Sequence, residues 1–283
     1  MPRLLLCCDL DRTLLPNGPQ PESPAARPLL RRLAAHPALT LAYVSGRDLD
    51  RLQAAIEEYA LPVPDFAVGD VGTTIYAVKG GVWQSWEAWQ REIITDWRGR
   101  DGQSLAKLFE DLTQLRLQEP DRQGRFKLSY YTAPDFPRGD ALAEMERRLD
   151  RAGLNASLIW SLDEVAGCGL LDVLPAGATK LHAIRFLMQQ LAFDEDAVVF
   201  AGDSGNDLPV LTSGLRSVLV ANARPEVRET AEAALRAQGL EDRLYVASGG
   251  FLGMNGNYSA GVLEGLAWFF PAVGRWLTEK PRH

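Results

Sequence analysis

Two aspartates one residue apart follow the first apolar run of the chain, in the stretch CCDLDRTLL (7–15). On a β-strand, residues i and i+2 point to the same face. If strand geometry continues through the turn, Asp9 and Asp11 therefore point towards one spot. Two carboxylates at one spot repel each other unless a cation, a proton or a phosphoryl group lies between them. A capping aspartate beside a solvated one is the simpler alternative, so the other polar clusters must decide.

Three further polar clusters lie at the ends of predicted strands or at the start of a predicted helix. Ser45, Gly46 and Arg47 close the run LTLAYVS, Lys180 begins a predicted helix after PAGAT, and GDSGND (202–207) closes AVVFAG. Ligands gather at the carboxyl ends of the strands in open parallel sheets. We therefore expect the four clusters to form one site.

Alternating strand and helix patterns are the elements that must position these clusters. The alternation covers the first 80 residues and resumes after residue 177, with KGG (79–81) as the turn of a hairpin. Continuous apolar runs such as RLLLCCDL are typical of parallel strands covered on both faces. The pattern predicts an α/β fold, a doubly wound, Rossmann-like parallel sheet.

Between the two halves of this pattern the character of the chain changes. The strand RFKLSYYT (125–132) alternates apolar and polar residues, as a half-exposed antiparallel strand does. We predict an α/β core of residues 1–80 and 175–283, interrupted by an α+β insertion at 81–174. Three helical stretches are predicted in the insertion: 85–97, 104–116 and 140–152.

Composition narrows the class of protein. The chain has 283 residues, 46% hydrophobic and 24% charged residues, and a net charge of −7, which argues against nucleic acid and anionic membranes as partners. Its apolar runs are shorter than the roughly 18 residues of a membrane span, and the first one ends in aspartates without a signal-peptide cleavage site. Three cysteines make no disulfide framework. We expect a soluble, cytoplasmic protein.

The residue types at the strand ends suit phosphoryl chemistry. Carboxylates of the first and fourth clusters can hold Mg²⁺, whereas zinc would need a cysteine or histidine cluster. Thr13, Ser45, the turn amides around Gly46 and the ammonium of Lys180 can bind phosphate oxygens. One aspartate can attack phosphorus, and a second, two residues on, can transfer protons.

DLDRT, SGR, Lys180 and GDSGND resemble the four motifs of the haloacid dehalogenase superfamily of phosphohydrolases. The insertion resembles the cap of its subfamily IIB. A closer resemblance, to sucrose-phosphate phosphatases and relatives acting on other glycosyl phosphates, lies in AYVSGR, VGTTIY, RFKLSYY, LLDVLPAGATK, GDSGND and GVLEGL. These stretches are spread over nearly the whole chain.

The resemblance implies a role for each residue that matches a motif. Asp9 is the expected nucleophile and Asp11 the expected acid/base. The implied Mg²⁺ ligands are Asp9, the main-chain carbonyl of Asp11, and Asp203, with support from Asp207. The implied phosphate-binding residues are Ser45, Lys180 and Asn206.

Arg12 departs from the family pattern, because the related phosphatases more often have asparagine or glycine there. We expect its side chain to point away from the metal. Two further cations are predicted to bind substrate: Lys127, on the exposed strand of the insertion, and Arg47, beside the phosphate-binding serine. A purely structural role is the alternative for both.

Two other features are tempting but fit packing better than binding. Four tryptophans near the start of the insertion have partly helical spacing, which more often means packing than sugar contact; they are Trp83, Trp86, Trp89 and Trp97. The glycine-rich stretch 248–261 lacks a nucleotide-binding motif and is interpreted as a turn before the last helix, from which Asn255 and Asn257 could face the site.

These observations favour an Mg²⁺-dependent phosphatase of a disaccharide phosphate, sucrose 6-phosphate first. Mannosylfructose phosphate, glucosylglycerol phosphate and a sugar phosphomutase activity are the alternatives. A signalling receiver would be about half this length, and a catalytically dead phosphatase fold would not need every catalytic residue type. The glycosyltransferase that makes the substrate is a candidate protein partner.

Overall fold

A computed structural model describes residues 1–163 and 166–279. The strands are β1 Leu4–Cys8, β2 Leu39–Val44, β3 Phe66–Gly69, β4 Thr74–Lys79, β5 Val82–Ser85, β6 Arg116–Leu117, β7 Leu128–Thr132, β8 Ala156–Asp163, β9 Cys168–Pro175, β10 Val198–Gly202, β11 Arg216–Leu219 and β12 Leu244–Val246. The helices are α1 Ala26–Ala34, α2 Leu49–Glu58, α3 Glu87–Ile93, α4 Gly102–Ala106, α5 Arg138–Arg151, α6 Lys180–Gln190, α7 Leu208–Leu211, α8 Pro225–Gln238, α9 Ser259–Phe269 and α10 Pro271–Thr278.

The larger sheet has eight strands in the order β12-β11-β10-β1-β2-β3-β4-β5. The strands from β12 to β3 run parallel, while β4 and β5 are antiparallel additions joined by the predicted hairpin. The chain moves outward from β1 in one direction and from β10 in the other. The predicted doubly wound α/β core is confirmed, and its topological switch point lies between β1 and β10.

The two strands at the switch point are completely buried. Every residue of β1 and of β10 is buried. Apolar side chains on both faces of a strand are needed when helices cover both faces, which explains the continuous apolar runs. Cys7 and Cys8 lie in β1 as free, buried thiols, and Cys168 is also free.

The chain divides into two compact units, residues 1–85 with 180–283 and residues 86–179. The second unit has a four-stranded antiparallel sheet, in the order β6-β7-β9-β8, together with α3, α4 and α5. The predicted boundaries after residues 80 and 174 fall earlier than these. β5 hydrogen-bonds to β4 and so belongs to the core sheet, whereas β9 extends to Pro175 in the second sheet.

Two predicted helices of the second unit are shorter than expected: the helix predicted at 85–97 ends at Ile93, and the one predicted at 104–116 is shorter still. The stretch 104–116 was expected to be helical throughout, but α4 ends at Ala106 and is followed by turns. Arg148 of α5 donates a hydrogen bond to the carbonyl of Leu108 at 2.8 Å and pairs with Asp111. These tertiary contacts hold the segment in turns, so local helical periodicity is overruled. Within 1–163 and 166–279, no helix has the length and apolarity to span a membrane.

Candidate active site

The loop after β1 leaves strand geometry immediately. β1 ends at Cys8, and the Asp9 amide still donates to Ala201 of β10 at 2.9 Å. The carbonyl of Leu10 then accepts the amides of three following residues, which closes a tight turn. Strand geometry therefore does not continue through the turn, and the two carboxylates pair with different cations, Asp9 with Lys180 and Asp11 with Arg47.

Asp9 is one of two carboxylates held by the same lysine. The ammonium of Lys180 lies 2.8 Å from Asp9 Oδ1 and 2.7 Å from Asp207 Oδ1. Burial raises the pKa of Asp9 to about 7, with the charge of Asp207 adding to the rise and Lys180 opposing it. Burial alone would lower the pKa of Lys180, but the two carboxylates outweigh it and raise that pKa. The lysine is therefore a fixed positive charge beside Asp9.

The turn that follows β10 holds the carboxylate of Asp207 in place through hydrogen bonds. Its Oδ2 accepts the amides of Asp203 and Ser204 at 3.1 Å and the Ser204 hydroxyl at 3.0 Å. Gly202 makes this possible, because a Cβ there would lie 2.7 Å from the Asp207 carboxylate. The carboxylate packs directly against the strand end and leaves one oxygen for Lys180.

Asp203 completes a buried group of three carboxylates. It lies directly after β10, beside the end of β1, and the Thr13 hydroxyl donates to its Oδ1 at 3.4 Å. Burial raises its pKa to about 6; Asp207 adds to the effect and Arg12 opposes it. Oxygens of Asp9, Asp203 and Asp207 lie within 4.8 Å of one another.

The side chain of Arg12 lies at this cluster, so the expectation that it points away is wrong. Its Nε is 3.2 Å from Asp203 Oδ2. The backbone of Arg12 has a φ of +60°, and this left-handed conformation turns the side chain back towards β10. Asparagine and glycine adopt such a φ more readily than arginine does.

Asp11 has a different set of partners. Arg47 donates to its two oxygens at 2.6 and 2.8 Å, and Asn17 donates to Oδ1 at 2.7 Å. Burial alone would raise the pKa of Asp11, but the hydrogen bonds from Arg47 outweigh it and lower the pKa. The sequence predicts that Arg47 binds substrate. In the structure, Arg47 forms an ion pair with Asp11.

The remaining predicted phosphate-binding residues lie at the same strand ends. The buried Ser45 hydroxyl accepts the Arg47 amide at 3.2 Å, and Gly46 is exposed with open space on its Cβ side. Asn206 is exposed in the short 3₁₀ turn that precedes α7. Hydroxyl, amide and ammonium groups therefore lie on the core, and their binding of phosphate stays a prediction.

Two asparagines that the sequence pattern did not single out hold the loop after β1 in place. Asn17 accepts the Arg12 amide at 2.8 Å in addition to its bond with Asp11. Asn222 donates to the Arg12 carbonyl at 2.6 Å and accepts the Tyr258 amide at 2.8 Å. Asn222 follows β11, so the strand-end rule could have found it. Asn17 could not have been found by this rule, because the sequence around it has the pattern of an ordinary turn.

Lys127 lies in the second unit, one residue before β7, which starts later than predicted. The residue is half-buried and pairs through its backbone with Gly124. Together with Gln103 it lines a groove of about 440 Å³ between α4 and the start of β7. Trp89 and Trp97 are fully buried, which confirms packing for these two tryptophans.

The glycine-rich stretch before α9 is a loop, as predicted. The side-chain amides of Asn255 and Asn257 both donate to the carbonyl of Pro21, at 2.9 and 3.0 Å. They fasten this loop to the segment before α1. Asn255 and Asn257 therefore have a structural role here, and do not face the site as the sequence analysis allowed.

A doubly wound sheet with an aspartate–lysine cluster at its switch point and an inserted second unit defines a phosphohydrolase of the haloacid dehalogenase superfamily. A sequence model of the family described as Sucrose-6F-phosphate phosphohydrolase matches residues 2–270. The chain belongs to this family, and it is a phosphatase.

Individual relatives are consistent with that assignment. The chain is 57% identical over 97% of its length to a Nitrosococcus oceani protein described as a HAD-like hydrolase, covering 74% of that protein. It is 31% identical to mannosylfructose-phosphate phosphatase from Agrobacterium fabrum, over 80% of this chain and 86% of the relative. The sucrose-phosphatase structure from Synechocystis, solved with sucrose and phosphate, superimposes with a TM-score of 0.68 at 26% identity, over 95% of this chain and 98% of that one.

Other curated relatives are much longer than this chain. The matched region covers 52% of sucrose-phosphatase 1 from Nicotiana tabacum and 27% of glucosylglycerol-phosphate synthase from Pseudomonas anguilliseptica.

Proposed function

We propose that this protein is an Mg²⁺-dependent phosphatase of a disaccharide phosphate, with sucrose 6-phosphate as the first candidate substrate. The observation that carries the proposal is the pairing of one lysine with Asp9 and Asp207 beside the third carboxylate, Asp203. A carboxylate held next to a fixed cation can attack a bound phosphoryl group while the lysine neutralises phosphate charge.

Asp9 is the nucleophile in this proposal. Its Oδ attacks phosphorus, the bond from phosphorus to the sugar oxygen breaks, and a phosphoryl group remains on Asp9. Asp11, ionised in its pair with Arg47, first takes up a proton, gives it to the departing sugar oxygen, and then takes one from the water that hydrolyses the acyl phosphate. Thr13, Ser45, Gly46, Lys180 and Asn206 bind the phosphate oxygens.

The acidic group fits a hard divalent cation. Three buried carboxylates lie close together, and burial, with a further contribution from the charge of Asp207, raises the pKa of both Asp9 and Asp203. Asp9, Asp203 and the main-chain carbonyl of Asp11 would hold Mg²⁺, with Asp207 in support. Bound Mg²⁺ supplies charge stabilisation to the phosphoryl group.

The nature of the sugar is supported by two relatives and by one residue of the second unit. One relative carries the name of a mannosylfructose-phosphate phosphatase, and the similar solved structure holds sucrose with phosphate. Lys127 has no side-chain partner within the described part of the chain and lines the groove together with Gln103 and Gln118, in an otherwise largely apolar surrounding. An ammonium group can donate hydrogen bonds to sugar hydroxyls, so we assign Lys127 to sugar binding.

Initial rates with a panel of phosphate esters test the proposal. The panel contains sucrose 6-phosphate, mannosylfructose phosphate, glucosylglycerol phosphate, trehalose 6-phosphate, glucose 6-phosphate and p-nitrophenyl phosphate. We expect the highest kcat/KM with a disaccharide phosphate, dependence on Mg²⁺, and inhibition by Ca²⁺, whose longer and more numerous ligands shift the carboxylates. A preference for nucleotide monophosphates would contradict the sugar assignment, and full activity after chelation would contradict the metal dependence.

A pair of variants in the second unit tests the sugar contact. Lys127→Ala should lower kcat/KM for the disaccharide phosphate at least tenfold more than for p-nitrophenyl phosphate, which has no sugar hydroxyls. Lys107→Ala removes an exposed lysine of the same unit and serves as the control. An equal loss with both substrates would make Lys127 structural. We further propose a cytoplasmic location, which suits the free cysteines, and the substrate-forming glycosyltransferase as a partner.

A further inference from the structure

Arg12 is held in a backbone conformation that arginine rarely adopts. Its φ is +60°, and hydrogen bonds fix the peptide on both sides, from the Arg12 amide to Asn17 at 2.8 Å and from Asn222 to the Arg12 carbonyl at 2.6 Å. Strained positions of this kind persist where the surrounding structure enforces them, often at functional sites. The two asparagines therefore determine where the Arg12 side chain lies.

The guanidinium reaches the carboxylate that the lysine does not bind. Lys180 pairs with Asp9 and Asp207, whereas Asp203 is paired with Arg12 at 3.2 Å. Asp203 is only 4% exposed, so its charge receives little help from solvent. Arg12 also donates to the Asn222 carbonyl at 3.2 Å, which keeps the guanidinium in place.

We propose that Arg12 is a built-in counter-cation of Asp203 that sets the affinity of the acidic group for Mg²⁺. The inference rests on the proposed Mg²⁺ site. Arg12 neutralises part of the charge of the carboxylates when no metal is bound, and it repels a divalent cation that arrives at the same oxygens. An asparagine in its place keeps the left-handed backbone accessible and removes the repulsion.

Calorimetric titration of the purified 283-residue protein with MgCl₂ tests the proposal. We expect Arg12→Asn to bind Mg²⁺ about tenfold more tightly than the wild type. A unit charge close to the metal ligands changes a binding constant by a factor on the order of ten. Arg12→Lys keeps the charge and should stay close to the wild type. Arg98→Asn is the matched control, because Arg98 is another arginine with a positive φ, +50°, in the second unit.

Thermal unfolding supplies a second readout that does not depend on activity. In chelator, Arg12→Asn should unfold at a lower temperature than the wild type, and saturating Mg²⁺ should remove most of the difference. Arg12→Gln provides the same charge removal with a longer side chain if the asparagine variant does not fold.

The outcomes separate this inference from the proposed function. Equal or weaker Mg²⁺ binding by the charge-removing variants would overturn the role of Arg12 while leaving the metal site standing. Absence of Mg²⁺ binding to the wild type would overturn the proposed metal site and the inference with it.

Discussion

Arg47 and Asp11 form a two-pronged ion pair, with nitrogen–oxygen distances of 2.6 and 2.8 Å. Arg47 comes from the loop after β2 and Asp11 from the loop after β1, so the pair joins two neighbouring strand ends. Bidentate pairs of this geometry fix the orientation of a carboxylate. Arg47 therefore positions the proposed acid/base.

Replacing Arg47 should affect every substrate that needs Asp11. We expect Arg47→Ala to lower kcat for sucrose 6-phosphate and glucose 6-phosphate by a similar factor, on the order of 10²-fold, because a misplaced catalytic group slows both reactions. Arg51→Ala, in the first turn of α2 and with an exposed side chain, is the control. A loss confined to the disaccharide phosphate would instead show that Arg47 binds sugar.

The proton-transfer role of Asp11 predicts a graded loss rather than a complete one. Asp11→Asn should slow steady-state turnover of sucrose 6-phosphate by about 10²–10⁴-fold, the usual contribution of general acid–base catalysis. Asp9→Asn should abolish turnover with an unchanged circular dichroism spectrum, because an amide does not attack phosphorus. Wild-type rates in Asp11→Asn would remove Asp11 from the mechanism.

Gly202 should tolerate no side chain, because of its contact with Asp207. A Cβ there would lie 2.7 Å from the carboxylate, and overpacking of this kind destabilises a protein by about 1–3 kcal/mol. We expect Gly202→Ala to unfold at a lower urea concentration and to lose activity as Asp207 shifts. Gly205→Ala adds a methyl group where no atom lies within 4 Å, so it should behave like the wild type. Similar behaviour of the two variants would contradict the proposed contact.

The stability of the metal-free protein should fall as the pH rises towards neutrality. The pKa of Asp9 is about 7 in the folded protein against an ordinary value of 3.8, so protonated Asp9 stabilises the fold at low pH. This contribution is complete below about pH 4 and is lost as the pH rises through about 7. Thermal unfolding in chelator between pH 5 and 8 should therefore show a steeper decline for the wild type than for Asp9→Asn. Parallel curves would rule out a raised pKa at Asp9.

The sequence was sufficient for the features that follow a regular pattern. Continuous apolar runs predicted β1 and the other central strands, and the strand-end rule placed Asp9, Asp203 and Asp207 together because parallel strands end at one edge of a sheet. Lys180 follows a strand of the antiparallel sheet, so that rule does not account for its position. The positions of Asp11 and Arg12 could not be derived in this way. These positions depend on the left-handed backbone of Arg12 and on its hydrogen bonds with Asn17 and Asn222. Neither asparagine is part of a helix or strand pattern.

Long-range side-chain contacts explain the misjudged helix of the second unit in the same way. The stretch 104–116 has helical periodicity, but Arg148 binds the carbonyl of Leu108 and the carboxylate of Asp111. Such contacts join residues about 40 positions apart, and a local pattern carries no information about them.

The central claim is that Asp9 accepts the phosphoryl group of a sugar phosphate. The most direct measurement is mass spectrometry of peptides from Asp11→Asn, quenched in acid soon after mixing with sucrose 6-phosphate and Mg²⁺. Slow proton transfer in this variant should let the phosphoenzyme accumulate, with one phosphoryl group on Asp9 and none in the Asp9→Asn protein. Phosphorylation of a different residue, or turnover without any phosphorylated aspartate, would contradict the account.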